Sequence, residues 1–345
     1  MSRNQKRNGL PKAVLLLVIL FAIASIPLMF RNETMAPLFT PRENNNDTVN
    51  GVSYEPVSHG SAEPYEPPPE GYYPYQPYEP YEPYEPPEPT HVTIYMDESD
   101  AFQGSLILIN HDNAFDFAHL SGLVPVVDYR SDNLRLSHAY HMLHYSIIDP
   151  LNAMVDAFRE ATGLNNVGVI SAFRDYERQR EIMEDFIERM GRDEALMWVA
   201  IPGFSEHHAG LAFDLGIFID GVPHTFHGLY EYSWFNENAH YFGFILRYPE
   251  NRTDVTGVAF EPWHFRYVGR PHAYIIWSNG FVFEEYIDFI RMYDQNFSYT
   301  RYFEGVLYEI FFTDELQIDI PIDNDFYISG NNVDGFIVTI IHIEY

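Results

Sequence analysis

The sequence predicts an α+β fold. Three observations carry that reading. Short apolar runs of strand length stand among longer amphipathic segments, without the regular strand–helix period of a parallel α/β sheet. The amphipathic segments repeat apolar residues at helical spacing. A series of β-rich runs, punctuated by turn residues, occupies the C-terminal end.

The elements follow in order along a folded body that begins near His91. Residues 105–110, Ser-Leu-Ile-Leu-Ile-Asn, read as a short apolar strand. Residues 150–161 read as a helix, because Leu151, Met154, Val155 and Phe158 fall on one face. Residues 167–170 form a short buried strand. Asp175 is placed to cap a helix running to about Met190, whose Ile182, Met183, Phe186, Ile187 and Met190 make an apolar stripe. After Arg291 the character changes. Residues 306–312, 316–322, 326–329 and 336–343 read as strands, with Asp323-Asn324-Asp325 and Gly330-Asn331-Asn332 as turns. They are expected to form a small β appendage, residues 292–345, with no chemistry of its own.

Composition narrows the function. The chain has 345 residues, 46% of them hydrophobic, enough for a sizeable core. Its formal net charge is −30, which repels nucleic-acid phosphates and excludes that class of partner. There is no cysteine, so disulfides, thiolate metal sites and a cysteine nucleophile are all excluded.

The N-terminus predicts export. Arg3, Lys6, Arg7 and Lys12 precede an uncharged apolar run, residues 13–30, whose length is at the lower limit for crossing a bilayer. The basic flank places the N-terminus in the cytoplasm and the body outside. An uncleaved single-pass anchor is expected, because apolar residues continue past Ala24. The rival is a cleaved signal peptide and a secreted body, since Ala22-Ile23-Ala24 has the small-x-small pattern of a cleavage site. Residues 31–90 then read as a spacer: Tyr-Glu-Pro units begin at Tyr54, Tyr65, Tyr78, Tyr81 and Tyr84, and no Lys or Arg interrupts them. Proline favours polyproline II, and the like charges keep the segment extended.

One stretch carries the chemistry. Ser205-Glu206-His207-His208-Ala209-Gly210-Leu211-Ala212-Phe213-Asp214 is followed by Glu261-Pro262-Trp263-His264. His207, Asp214 and His264 supply two imidazoles and a carboxylate, the donor types of a catalytic zinc ion with one position left open. Glu261, three residues before His264, is left over as a base. Gly210 permits a tight path between His207 and the strand start that carries Asp214 inward. Most of the 15 histidines have a bland reading, and His59, His91, His111 and His272 carry no support as ligands. His208 is expected to play at most a supporting role, and Glu206 and Asp220 to be solvated.

These residues resemble the VanY-type zinc D-alanyl-D-alanine carboxypeptidases, whose relatives include L,D-carboxypeptidases. The likeness lies in Ser205 to Asp214, in Glu261-Pro262-Trp263-His264-Phe265-Arg266-Tyr267-Val268-Gly269, and in Ser171-Ala172-Phe173-Arg174-Asp175-Tyr176-Glu177-Arg178-Gln179. It runs from about Ser105 to Arg291. The resemblance implies a compact carboxypeptidase domain, residues 91–291, with a small antiparallel sheet flanked by helices. It implies Zn2+ held by His207, Asp214 and His264, with Glu261 as catalytic base. Arg174 would bind the scissile carbonyl or the terminal carboxylate, and Ser205 and Gln179 would make polar substrate contacts. The implied activity is removal of the terminal D-alanine from peptidoglycan stem peptides; the apolar run adds the expectation that the enzyme is held at the membrane, and a monomer is expected. L,D-carboxypeptidase or endopeptidase action keeps the same site, and a non-catalytic wall-binding module is the alternative from another class.

Overall fold

The computed structural model describes residues 90–342. The strands, in chain order, are β1 (His91–Tyr95), β2 (Leu123–Pro125), β3 (Arg135–Leu136), β4 (Met142–His144), β5 (Val167–Ser171), β6 (Ala212–Ile219), β7 (Val222–Thr225), β8 (Phe244–Leu246), β9 (His264–Tyr267), β10 (Tyr299–Phe303), β11 (Val306–Thr313), β12 (Gln317–Pro321), β13 (Asp325–Gly330) and β14 (Phe336–His342). The expected α+β architecture is what forms.

The central sheet runs β3-β5-β6-β9-β8, with β7 also paired to β6. The β3–β5 pair is parallel and the rest are antiparallel. Strand β6 is buried from Ala212 to Phe218, as a sheet's middle strand must be when both faces are covered. The helix Ile148–Thr162 closes one face. Its Leu151, Met154, Val155 and Phe158 share a core with Val167, Val169, Phe213, Leu215 and Phe265. Gly163, at φ 75°, ends that helix in the left-handed conformation. The helix Tyr176–Met190 begins where expected, with the Asp175 side chain accepting from the Arg178 backbone N–H at 2.7 Å. Its apolar stripe packs against Ala195 and Val199.

Residues 105–110 correct the sequence reading. Residues 106–110 are buried, but the segment is not a strand. Leu106 and Leu108 enter one core and Ile107 and Ile109 another, so the alternation is real. The backbone is satisfied differently. The Leu108 N–H bonds the Asn331 carbonyl, the Leu106 N–H bonds Ser329 Oγ, and Arg266 takes the carbonyls of Ser105 and Ile107. Buried backbone groups need partners, and here side chains supply most of them.

The C-terminal strands form an antiparallel sheet in the order β10-β11-β14-β13. Strand β10 was not anticipated, because Tyr299-Thr300-Arg301-Tyr302-Phe303 mixes polar and aromatic residues without a long apolar run. Strand β12 leaves this sheet and pairs with β1 in full register, from His91↔Pro321 to Tyr95↔Gln317. Ile310 and Ile337 share a core with Ile275, Ile276, Phe283 and Ile287 of the helices Arg270–Asn279 and Phe283–Ile290. The predicted anchor at residues 13–30 and the Tyr-Glu-Pro spacer lie outside the described residues. Among the described residues, no helix is long and apolar enough to cross a membrane.

Candidate metal centre

Three adjacent strands bring the site together by register. Ser171 of β5 stands opposite Asp214 of β6, and Asp214 stands opposite His264 of β9. An irregularity in the β5–β6 pairing between Val169 and Ser171 lies just before the site. His207 arrives from a 3-10 turn, Glu206–Ala209, which Gly210 ends at φ 68°. A Cβ at Gly210 would lie 2.5 Å from Leu123 Cδ2 and 3.1 Å from the His144 nitrogen, so both conformation and space demand glycine.

His207, Asp214 and His264 are buried, and one ligand atom from each lies within 4.8 Å of the other two. His207 Nδ1 is 2.7 Å from the Ala172 carbonyl. A carbonyl only accepts, so Nδ1 carries the proton and Nε2 keeps its lone pair. That Nε2 is buried, lies 3.5 Å from Asp214 Oδ1 and has no hydrogen-bond partner among the described residues. His264 Nδ1 is 3.0 Å from the same Asp214 oxygen. Two nitrogens and a carboxylate oxygen, one nitrogen left bare, fit a zinc ion better than they fit a closed hydrogen-bond network.

The charges agree. Burial works against ionising Asp214, but His207 and His264 outweigh it and hold the carboxyl well below its usual range. Burial likewise opposes a charged His264, but Asp214 and Glu206 prevail and raise it to about 9. A pocket that favours a proton on this ring favours a metal cation beside it. His207 is lowered to about 4 by burial and then by the Arg174 guanidinium, so it is neutral and its Nε2 lone pair is open to a cation. Glu261 is pushed up to about 8, chiefly by burial, against the pull of His264. Its Oε2 lies 3.8 Å from His264 Nδ1, on the ligand side of the ring. A carboxyl displaced toward neutrality is suited to moving protons.

The cavity over this centre has a volume of about 430 Å³ and is lined by Arg174, Gln179, Ser205, Glu261, Tyr248, Trp198 and Trp263 among others. Every residue proposed from the sequence therefore reaches one place. Arg174 NH2 is 3.3 Å from Asp214 Oδ2, its Nε donates to Ser171 Oγ, and its NH1 donates to Gln179 Oε1 at 2.9 Å. The other end of the Gln179 amide donates to the Ala200 carbonyl. Each end of the amide thus has one partner within the protein, and Gln179 holds Arg174 in place while lining the cavity. His208 has a supporting role too: its Nδ1 donates to the Arg174 carbonyl and its Nε2 accepts from the Gly203 N–H. A larger cavity of about 590 Å³, beside Tyr267, Tyr308 and Tyr327, contains none of the candidate ligands.

Glu206 is a correction. Expected in solvent, it is 1% exposed. Arg247 and Arg266, both fully buried, bond its Oε1 at 2.8 and 3.0 Å, and their charges keep it ionised despite the burial. Arg266 was findable: two residues beyond His264 on one strand, it must share that ligand's face. Tyr248, whose ring packs 5.0 Å from His264, left no such signal.

The family model described as D-alanyl-D-alanine carboxypeptidase, VanY, matches residues 140–270, which include every candidate site residue. A D-alanyl-D-alanine carboxypeptidase of Enterococcus faecium is 33% identical over 257 residues, covering 70% of this chain and 77% of the relative. One from Enterococcus faecalis is 35% identical over 201 residues, covering 56% and 69%. The solved vancomycin-resistance D,D-dipeptidase VanXYg, bound to a D-Ala-D-Ala phosphinate analogue, superposes with a TM-score of 0.65 at 31% identity, covering 73% of this chain and 99% of its own. The 257-residue match is longer than the stretch from Ser105 to Arg291, so the likeness reaches beyond the span that the motifs mark. The chain belongs to the VanY family of D-alanyl-D-alanine carboxypeptidases.

Proposed function

We propose that this protein is an extracytoplasmic, zinc-dependent D-alanyl-D-alanine carboxypeptidase that removes the terminal D-alanine from peptidoglycan stem peptides. The observation that carries this reading is the bare, buried Nε2 of His207 facing Asp214 and His264, with the Glu261 carboxyl on the same side of His264. The position outside the membrane is supported by the basic flank and apolar run that precede an acidic body.

His207 Nε2, Asp214 Oδ1 and His264 Nδ1 would hold the ion. When bound, zinc supplies Lewis acidity to water and to a carbonyl oxygen. Glu261 takes the proton from the attacking water and passes it to the leaving amine. Its burial raises its basicity for the first transfer and leaves it acidic enough for the second. Arg174 is fixed by Ser171, Gln179 and Asp214, so its guanidinium meets a substrate oxyanion or carboxylate without reorganising. The aromatic walls, Trp198, Tyr248 and Trp263, exclude water from the reacting bond.

The test is mass spectrometry of the zinc-loaded protein with pentapeptide and tetrapeptide stems, beside a Glu261→Ala control. Loss of one alanine from the pentapeptide, absent in the control, is the expected result. Cleavage of the tetrapeptide alone would assign L,D-carboxypeptidase action. Zinc bound but neither peptide cut would overturn the carboxypeptidase reading and bring forward endopeptidase or wall-binding roles.

A further inference from the structure

We propose that Glu206 is the positioning residue of the metal centre: its carboxylate accepts the Nε2–H of His264 and thereby presents the Nδ1 lone pair of that ring to the cation. The inference rests on the zinc reading above.

The geometry starts from His264. Its Nδ1 faces Asp214 Oδ1 at 3.0 Å and its Nε2 faces Glu206 Oε2 at 3.4 Å. A neutral imidazole carries one proton, and either nitrogen can hold it. With the proton on Nδ1 the ring would bond Asp214 and have no lone pair for a metal there. Both nitrogens face a carboxylate, and a cation beside Asp214 would take the place of a proton on Nδ1; the ionised Glu206, which can only accept, would hold the remaining proton at Nε2.

Glu206 is built to stay ionised and still. Its other oxygen receives Arg247 Nε and Arg266 NH1. Two cations on one buried carboxylate would leave excess charge, and Glu284 removes it by taking both remaining Arg247 nitrogens at 2.9 and 2.6 Å. Arg266 NH2 spends itself on the Ser105 and Ile107 carbonyls. The four charged groups balance, two against two, and Asn110 Nδ2 adds a bond to Glu284. The imidazole cannot turn away either. Tyr248 packs against His264, and the Arg247 guanidinium lies 4.9 Å from the Tyr248 ring. Glu206 thus joins Arg247 just after β8, Arg266 of β9, the segment 105–107 and the helix Phe283–Ile290 to one ligand nitrogen.

The experiment uses the full-length chain, wild type, Glu206→Gln and Glu206→Asp. Gln keeps the length and loses the charge; Asp keeps the charge beside the arginines and draws the oxygen away from His264. Zinc affinity is measured by chelator competition on protein shown folded by circular dichroism. Both variants are expected to lose about 10- to 100-fold in affinity, the range for groups that orient metal ligands. Nitrogen NMR of zinc-loaded wild type is expected to show His264 protonated at Nε2. A folded variant that binds zinc within about twofold of wild type, or a His264 protonated at Nδ1, overturns the proposal. If neither variant folds, the NMR signature of the wild type decides alone. If zinc affinity depends on Glu206 but no stem peptide is cut by the wild type, the carboxypeptidase reading fails and this one stands.

Discussion

Asp214 and His264 stand directly opposite each other on antiparallel neighbours, with His264 Nδ1 3.0 Å from Asp214 Oδ1. The pairing of β6 with β9 therefore fixes two of the three proposed ligands. Asp214→Asn keeps the shape and removes the charge that draws a cation into a buried pocket. Its zinc affinity is expected to fall by more than the 10- to 100-fold typical of outer-shell changes, roughly 100-fold or beyond. Chelator competition measures it. Retained affinity would mean that the metal, if any, binds elsewhere.

Glu261 is expected to show its role in a pH profile. A general base works only when deprotonated, so kcat/KM should climb as pH rises toward the carboxyl's pKa and level off above it. Glu261→Gln should lose about 10²- to 10⁴-fold in kcat and lose that acid limb as well, while still binding zinc. A variant that keeps the limb would assign the titration to another group.

Gly210 tests the loop that presents His207. Its φ of 68° and the 2.5 Å approach to Leu123 leave no room for a side chain. Gly210→Val is expected to destabilise the fold by about 1–3 kcal/mol and to shift His207. Urea unfolding gives the first and zinc affinity the second. Wild-type values for both would show that the turn relaxes freely.

The site was legible in the sequence because its residues cluster in two short stretches with chemistry that no core needs. His207, Asp214, Glu261 and His264 have donor types that point to a metal wherever the chain goes. The fold was legible where periodicity was long, as in the helices Ile148–Thr162 and Tyr176–Met190. It was misread at residues 105–110, where alternation predicts a strand but the partners are Arg266, Ser329 and Asn331 from distant parts of the chain. Glu206 was misread for a related reason. A glutamate is solvated by default. Only the tertiary fold places Arg247 and Arg266 against it.

His272 supplies a prediction about stability. Its ring is fully buried between the helix Arg270–Asn279 and the C-terminal sheet, with Nδ1 on the Tyr286 hydroxyl and Nε2 near the Tyr327 hydroxyl and Thr339. Each partner is an uncharged hydroxyl, so nothing compensates a positive ring, and burial lowers the pKa from 6.5 to about 3. The sign follows from that direction. The unfolded chain binds the proton more readily, so this group's contribution is complete above pH 6.5 and is lost as pH falls below it. From about pH 7.5 to about pH 5.5 the loss comes to roughly 1.4 kcal/mol. His272→Gln, whose amide can still donate and accept, should be less stable at neutral pH but should lose roughly 1.4 kcal/mol less over the same interval. The other buried histidines, such as His141 and His240, titrate alike in both proteins, so the difference isolates His272. Urea unfolding at the two pH values measures it, and parallel losses in wild type and variant would show that His272 is not the group that titrates.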